Sequence, residues 1–288
     1  DFFSDTEALA LLFTSRVPRL LAVLITGASL AVSGALMQML VRNRFVEPMT
    51  AGSGQGAVLG ILIAVLVFPE ASLITKMLLA IIAALLSNML FLTIVRRLPM
   101  GEPVLVPLAG LAYGGVIGAI VTFIAYQADL LQFIDIWVSG EFSGILQGRY
   151  ELLWLAGAAA VLSYLAADQF AIIGMGHTAT TNLGLNYHQT VLLGLIAIAV
   201  VVAITVVTVG IIPFIGLVVP NIISRMSGDN LRSTLPTIAY TGAALVLASD
   251  ILARVLRYPF EIPVATVLGV LGSIVFIWLL YRPSPDAR

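Results

Sequence analysis

The sequence predicts an all-α fold: a polytopic bundle of transmembrane helices that forms one domain over residues 1–288. The chain is 60% hydrophobic and only 10% charged, whereas soluble domains carry about 25% charged residues. Its mean hydropathy is +1.08. Apolar runs of membrane-spanning length recur along the chain, and no soluble domain fits between them.

Nine apolar segments are predicted to be helices. In chain order they are 18–40, 51–68, 73–95, 104–126, 152–167, 191–210, 213–225, 235–256 and 263–281. Residues 129–141 are acidic, weakly apolar and contain Trp137, which predicts a short interfacial helix. The chain begins with Asp1 rather than Met, so we expect an upstream segment to precede it.

The segment 213–225 differs from the others because its apolar part is too short to cross a bilayer. Residues 213–223 extend about 16 Å as a helix, against a hydrocarbon core of about 30 Å. Pro213 and Pro220 bend it, and the chain turns polar at Asn221. A short, proline-broken helix is tolerated at membrane depth where protein buries it or where it lines a cavity. This predicts a role in a transport pathway.

Several function classes lack the residues that they need. There are no cysteines, which excludes disulfides and thiolate metal sites. The net charge of −1 provides no excess positive charge to attract nucleic acid. No G-x-x-x-x-G-K-[ST] loop is present to hold ATP phosphates. The G-x-S-G pattern of a serine intramembrane protease and paired intramembrane aspartates are also absent. The chain is therefore predicted not to be an enzyme and to hold no cofactor.

Asp250 is the one acidic residue predicted to lie inside a membrane helix. Arg254 follows four residues later on the same helix face, which favours an ion pair. An intramembrane charge is also a functional hypothesis by default, so a structural and a functional role both stay open. Because a proton-driven carrier needs more such groups, energy is expected to come from another subunit. An ion-coupled secondary transporter is the alternative.

The positive charges give the bundle a weak orientation. With residues 1–15 outside, eight basic residues lie inside: Arg42, Arg44, Arg96, Arg97, Arg225, Arg232, Arg282 and Arg288. Six lie outside: Arg16, Arg19, Lys76, Arg149, Arg254 and Arg257. The outer arginines gather at two helix ends. They either snorkel to the interface or dock an acidic external partner.

Two further patterns have more than one interpretation. Gly110, Gly114 and Gly118 recur every four residues and form a small-residue helix face, which either packs internally or lines a pathway between two subunits. Residues 169–189 form a polar inside loop that holds His177 and His188. Without acidic neighbours at ligand spacing, these histidines are interpreted as loop residues, and no metal site is predicted.

Several stretches, read in order, resemble the FecCD family, the permease subunits of ABC importers for iron–siderophores, haem and vitamin B12. SRVPRLLAVLITGASLAVSGALMQ at 15–38 resembles R-[LV]-P-R…G-A-x-L-A-x-S-G-x-x-x-Q, and RNRFVEP at 42–48 resembles R-N-P-L-A-[DE]-P. GSGQGA at 52–57, TNLGLN at 181–186, SDILAR at 249–254 and EIPV at 261–264 also resemble family motifs. The resemblance covers essentially the whole chain.

The resemblance implies a type II ABC importer permease of ten helices, the first lying upstream of Asp1, in a bacterial inner membrane. Two such subunits, identical or homologous, pair around a central pathway within membrane lipid. ATP is hydrolysed by cytoplasmic ATP-binding subunits. A periplasmic or lipid-anchored siderophore-binding protein delivers a chelated iron complex. GDNLR, RYPFEIP and the Asn form at 221, where the family usually has His, look most like permeases for ferric catecholate siderophores.

The resemblance also implies residue roles. Arg16, Arg19 and Arg254 match arginines that pair with glutamates of the binding protein. Glu102 and Val104 match an inner gate before the helix of Gly110, Gly114 and Gly118. Residues 169–189 match the coupling loop that contacts the ATPase. The matching residues in this loop are Gly174, His177, Thr181, Asn182, Leu183, Gly184 and Asn186.

Overall fold

The computed structural model describes residues 6–99 and 104–281, and every regular element within those ranges is helical. The elements are α1 (Thr6–Leu11), a π-helical turn (Leu12–Arg16), α2 (Val17–Val41), α3 (Ser53–Val67), α4 (Leu73–Val95), α5 (Leu105–Gln127), α6 (Leu131–Val138), α7 (Leu153–Leu165), α8 (Ala167–Gly174), α9 (His177–Asn182), α10 (Tyr187–Thr208), α11 (Ile215–Ser227), α12 (Leu231–Val255) and α13 (Val264–Tyr281). The predicted all-α class is confirmed.

Nine apolar segments account for the predicted membrane helices, but they are of three kinds. Six helical stretches are long and apolar enough to cross a bilayer: Leu9–Val41, α4, α5, α10, α12 and α13. A seventh span is possible only if α7 and α8, which meet at a bend of 66°, are taken together. The remaining two, α3 and α11, are shorter apolar helices. The multi-pass membrane character of the chain follows from these segments.

The first long helix starts earlier than the predicted position 18, because Pro18 does not begin it. Helical structure runs from Thr6 to Val41 through the π-helical turn. A proline within a helix removes one N–H and crowds the carbonyl four residues before it, here that of Thr14. The wider π turn lies at this point, and the Thr14 carbonyl accepts a hydrogen bond from Gln147 N at 3.0 Å. The proline is thus accommodated without ending the helix.

Two other helices also begin before their predicted starts at 191 and 235, because asparagine side chains cap them earlier in the chain. The Asn186 side chain accepts a hydrogen bond from Gln189 N, so α10 begins at Tyr187. The Asn230 side chain accepts one from Ser233 N, so α12 begins at Leu231. Asparagine is a preferred N-cap. Pro236 then lies inside α12 rather than at its start.

Helix α2 is the centre of the bundle, and glycines let two helices approach its backbone. A Cβ on Gly34 would overlap the backbone of Gly216 in α11. A Cβ on Gly27 would overlap the backbone of Gly242 in α12. Such close approach is the usual purpose of small residues between membrane helices. Because Gly27 and Gly34 are about two helical turns apart, α12 and α11 pack against the same face of α2 at successive levels.

The bundle has two polar ends, which we name by one residue each. On the His177 face, Arg44 lies 2.5 Å from Asp229, and Arg232 lies 3.3 Å from Asp168. On the Arg19 face, the start of α2 meets the end of α12 and the segment before α13. Arg44 and Arg232, which are predicted to lie inside, therefore fall at one end of the bundle, and Arg19 and Arg254, which are predicted to lie outside, fall at the other.

Candidate transport and docking sites

The half-length helix α11 begins inside the bundle and is fixed there by polar groups of α2 and the loop after it. Phe214 precedes the helix in a left-handed conformation, with φ of 70°. Its backbone N–H donates to the carboxylate of the buried Glu47 at 2.6 Å. Gln38 Nε2 donates to the Gly216 carbonyl at 3.0 Å. A carboxylate is the favoured partner for a helix N-terminus, where unpaired N–H groups carry partial positive charge.

Asn221 joins α11 to the loop after α2. Its Nδ2 donates to the carbonyl of Arg44 and to the carbonyl of Leu217, both at 2.7 Å. The side chain is buried. A buried amide with both donor contacts made contributes to rigidity. Asn221 therefore has a structural role in seating the inner half of α11.

The glycine face of α5 packs inside the bundle. Gly110 lies against Ala51 and Phe91, and Gly114 lies against residues 50–52. Gly118 has the Gln55 side chain as its nearest neighbour. The opposite side of α5 is exposed, where Leu108 is 60% and Phe123 65% accessible.

A cavity of about 420 Å³ adjoins this packed face. Gly114, Gly118, Gln55, Ile211 and Pro213 are among its lining residues. It therefore touches both α5 and the chain entering α11, the two elements predicted to belong to a pathway. Of the predicted gate residues, Val104 is the exposed residue that precedes α5, and Glu102 lies outside the described residues.

Asp250 and Arg254 form the ion pair expected from their spacing, but the cluster on the Arg19 face is larger. Arg254 Nη2 lies 2.9 Å from one Asp250 oxygen, and Arg19 Nη2 lies 2.7 Å from the other. Arg19 also contacts both carboxylate oxygens of Glu261, at 3.0 and 2.9 Å. Two guanidinium groups thus face two carboxylates, which leaves the cluster without net charge.

The three predicted docking arginines differ in accessibility. Arg16 is exposed. The Arg254 side chain is 38% accessible, and that of Arg19 only 15%. Arg19 can therefore meet an external partner only if one of its internal contacts yields.

The predicted coupling loop forms a protruding helical turn on the His177 face. Gly174 ends α8, and Gly176 has φ of 104° and turns the chain into α9. His177, Thr181, Asn182, Leu183, Gly184 and Asn186 are all exposed. Leu183 is 61% accessible and Met175 67%. Exposed apolar side chains on a polar turn are a feature of surfaces that contact other proteins.

Sequence patterns found the local parts of these sites and missed the distant ones. The pair of Asp250 and Arg254 lies within one helical turn, whereas Arg19 and Glu261 are 242 positions apart. Glu47 was visible only as part of the motif at 42–48, with nothing in the sequence to connect it to Phe214. Contacts of this length are created by the packing of α2, so no local pattern predicts them.

Comparison with known proteins places this geometry in a family. The model of the FecCD transport family matches residues 2–282. The petrobactin import system permease protein YclN of Bacillus subtilis is 44% identical over 271 residues, 94% of this chain and 86% of that protein. The ferric-anguibactin transport system permease protein FatD of Vibrio anguillarum is 40% identical with the same coverage.

More distant similarity extends to other cargo and to solved structures. The vitamin B12 import system permease protein BtuC of Vibrio cholerae is 34% identical over 94% of this chain and 83% of that protein. A metal-chelate type ABC transporter solved in an inward-facing conformation shares the fold, with a TM-score of 0.81 and 24% identity over 97% of this chain and 90% of that one. With its sequence motifs, helical bundle and relatives in agreement, this chain belongs to the FecCD transport family.

Proposed function

We propose that this chain is the membrane-spanning permease subunit of an ATP-driven importer that carries a ferric siderophore, of the catecholate class, across the bacterial inner membrane. The observation that carries the proposal is similarity, over 94% of this chain, to permeases of petrobactin and ferric-anguibactin import. The GDNLR and RYPFEIP stretches support the catecholate class. The chain moves cargo and leaves ATP hydrolysis to partner subunits.

Each polar end is proposed to bind a different partner. Cytoplasmic ATP-binding subunits contact the exposed turn at residues 174–186. A siderophore-binding protein docks on the Arg19 face through Arg16, Arg19 and Arg254. A second permease subunit, identical or homologous, completes the pathway. Cargo specificity lies mostly in the binding protein, because the cavity beside α5 is lined mainly by apolar groups and glycines.

Reconstituted uptake tests the whole proposal. The chain is placed in proteoliposomes with the ATPase and binding protein encoded beside it, and radiolabelled ferric siderophores of several classes are supplied outside. Uptake is expected only with ATP inside and the binding protein outside, and catecholates should be preferred. Uptake driven by an ion gradient in the absence of the ATPase would contradict the proposal.

The ATPase contact has its own test in the exposed turn. Leu183→Asp places a charge where an apolar side chain is expected to be buried by the ATPase. We expect the ATPase to be lost during affinity purification of the complex. Leu146→Asp, at a similarly exposed leucine on the other face (45% accessible), should retain it. Retention by Leu183→Asp at full stoichiometry would move the contact elsewhere, to the turn at 227–232 first.

A further inference from the structure

The segment after α12 has the composition of a protein-binding surface. Tyr258 is 86% accessible and Phe260 67%, and Arg257 lies 5.8 Å from the Phe260 ring. Arg254 lies at the base of the segment. Tyrosine and arginine are enriched among residues that contribute most to protein interfaces. The basic and aromatic character fits a partner with exposed carboxylates.

Asp250 fixes the two arginines at the base of this surface. Its side chain is 2% accessible, and each of its oxygens holds one guanidinium, that of Arg19 or that of Arg254. A buried carboxylate that loses a partner is strongly unfavourable. The contacts of Asp250 are therefore the part of the cluster that persists.

Glu261 is held differently from Asp250. Its side chain is 38% accessible, and each of its two oxygens contacts Arg19. Water can hydrate the half-exposed Glu261 carboxylate once it leaves Arg19, whereas Asp250 would stay buried without that partner. Of its two carboxylate contacts, Arg19 therefore gives up Glu261 at the lower cost.

We propose that Glu261 occupies, in the undocked permease, the position on Arg19 that a carboxylate of an acidic partner protein takes on docking. The exchange keeps the charge around Arg19 constant, since one carboxylate replaces another. The exchange needs only a movement of the Glu261 side chain, because the backbone around it is held independently: Ile262 N donates to the Ala253 carbonyl at 3.1 Å, and Ala265 N donates to the Gly140 carbonyl at 3.0 Å. This inference rests on the proposed docking of a binding protein on the Arg19 face.

Binding measurements on single substitutions test the exchange. The permease complex in nanodiscs is titrated with the substrate-binding protein encoded beside it, at low and at high salt. Glu261→Gln removes the internal competitor for Arg19, so affinity should rise by about two- to fivefold, the range that one exposed ion pair supplies. Glu70→Gln, at an exposed carboxylate between α3 and α4, should leave affinity unchanged. Arg16→Glu should weaken binding, most at low salt.

The two charge variants separate the exchange from docking itself. If Arg16→Glu weakens binding while Glu261→Gln leaves it unchanged or weaker, docking on this face stands and the exchange is wrong. If Arg16→Glu also leaves affinity unchanged, docking on this face is wrong and the exchange falls with it, and the aromatic residues then belong to the lipid interface. A melting temperature of Glu261→Gln near that of the wild type shows that the variant is folded.

Discussion

Glu47 and Asp250 are buried carboxylates in the described bundle, and each is stabilised by a different arrangement. Asp250 contacts two arginines. Glu47 instead accepts the Phe214 N–H at the start of α11, where the helix dipole favours negative charge. The sequence predicted one contact of Asp250, because Arg254 lies one turn away. It predicted none for Glu47, whose partner comes from a distant part of the chain.

Two substitutions of Glu47 distinguish the contribution of its hydrogen bond to stability from the contribution of its side-chain volume. Glu47→Ala leaves the Phe214 N–H buried without an acceptor, which costs about 1–3 kcal/mol. Glu47→Gln keeps a carbonyl oxygen in reach, so its loss should be smaller. Melting temperatures of purified protein in detergent should fall in the order wild type, Gln, Ala. The exposed Glu70→Gln is the control, and equal melting of all four proteins would show that the contact does not stabilise α11.

Helix α2 shows which properties of an element can be predicted from sequence. Its apolar run predicts the span, but Pro18 is not the helix start that the sequence predicts, because helical structure continues through it. The π-helical turn and the bond from Gln147 to the Thr14 carbonyl accommodate that proline, and both depend on tertiary packing. The starts of α10 and α12 differ from this, because the asparagines that cap them, Asn186 and Asn230, are a local signal in the sequence.

The close contact between α2 and α11 predicts that a larger residue at Gly34 destabilises the protein. Gly34→Ala places a methyl group on the backbone of Gly216, and overpacking of this kind costs about 1–3 kcal/mol or more. We expect lower yield of folded protein and a lower melting temperature. Gly269→Ala, at a helical glycine of α13 with open space around it, should be neutral or slightly stabilising. A Gly34→Ala protein as stable as Gly269→Ala would mean that the two helices can separate.

The two ends of the whole molecule carry its proposed partners, and their sidedness can be measured directly. Because the chain has no cysteine, each introduced cysteine is a single reporter. Glu70→Cys, in the turn between α3 and α4 near Lys76, which is predicted to lie outside, should react with a membrane-impermeant maleimide in intact cells. Thr178→Cys, on the His177 face, should react only after the membrane is opened. The reverse pattern would invert the orientation and exclude docking of an external protein at Arg19.

The shortness of α11 has a consequence for how the chain is made. Neither α3 nor α11 is long enough to be inserted as an independent span. Gln38 donates a hydrogen bond to the Gly216 carbonyl, and Gly216 is synthesised 178 residues after Gln38. We therefore expect α2 to insert into the bilayer first and α11 to pack against it after it has been synthesised. Substitutions at Gly34 or Glu47 should then increase the degradation of newly synthesised chains by membrane proteases.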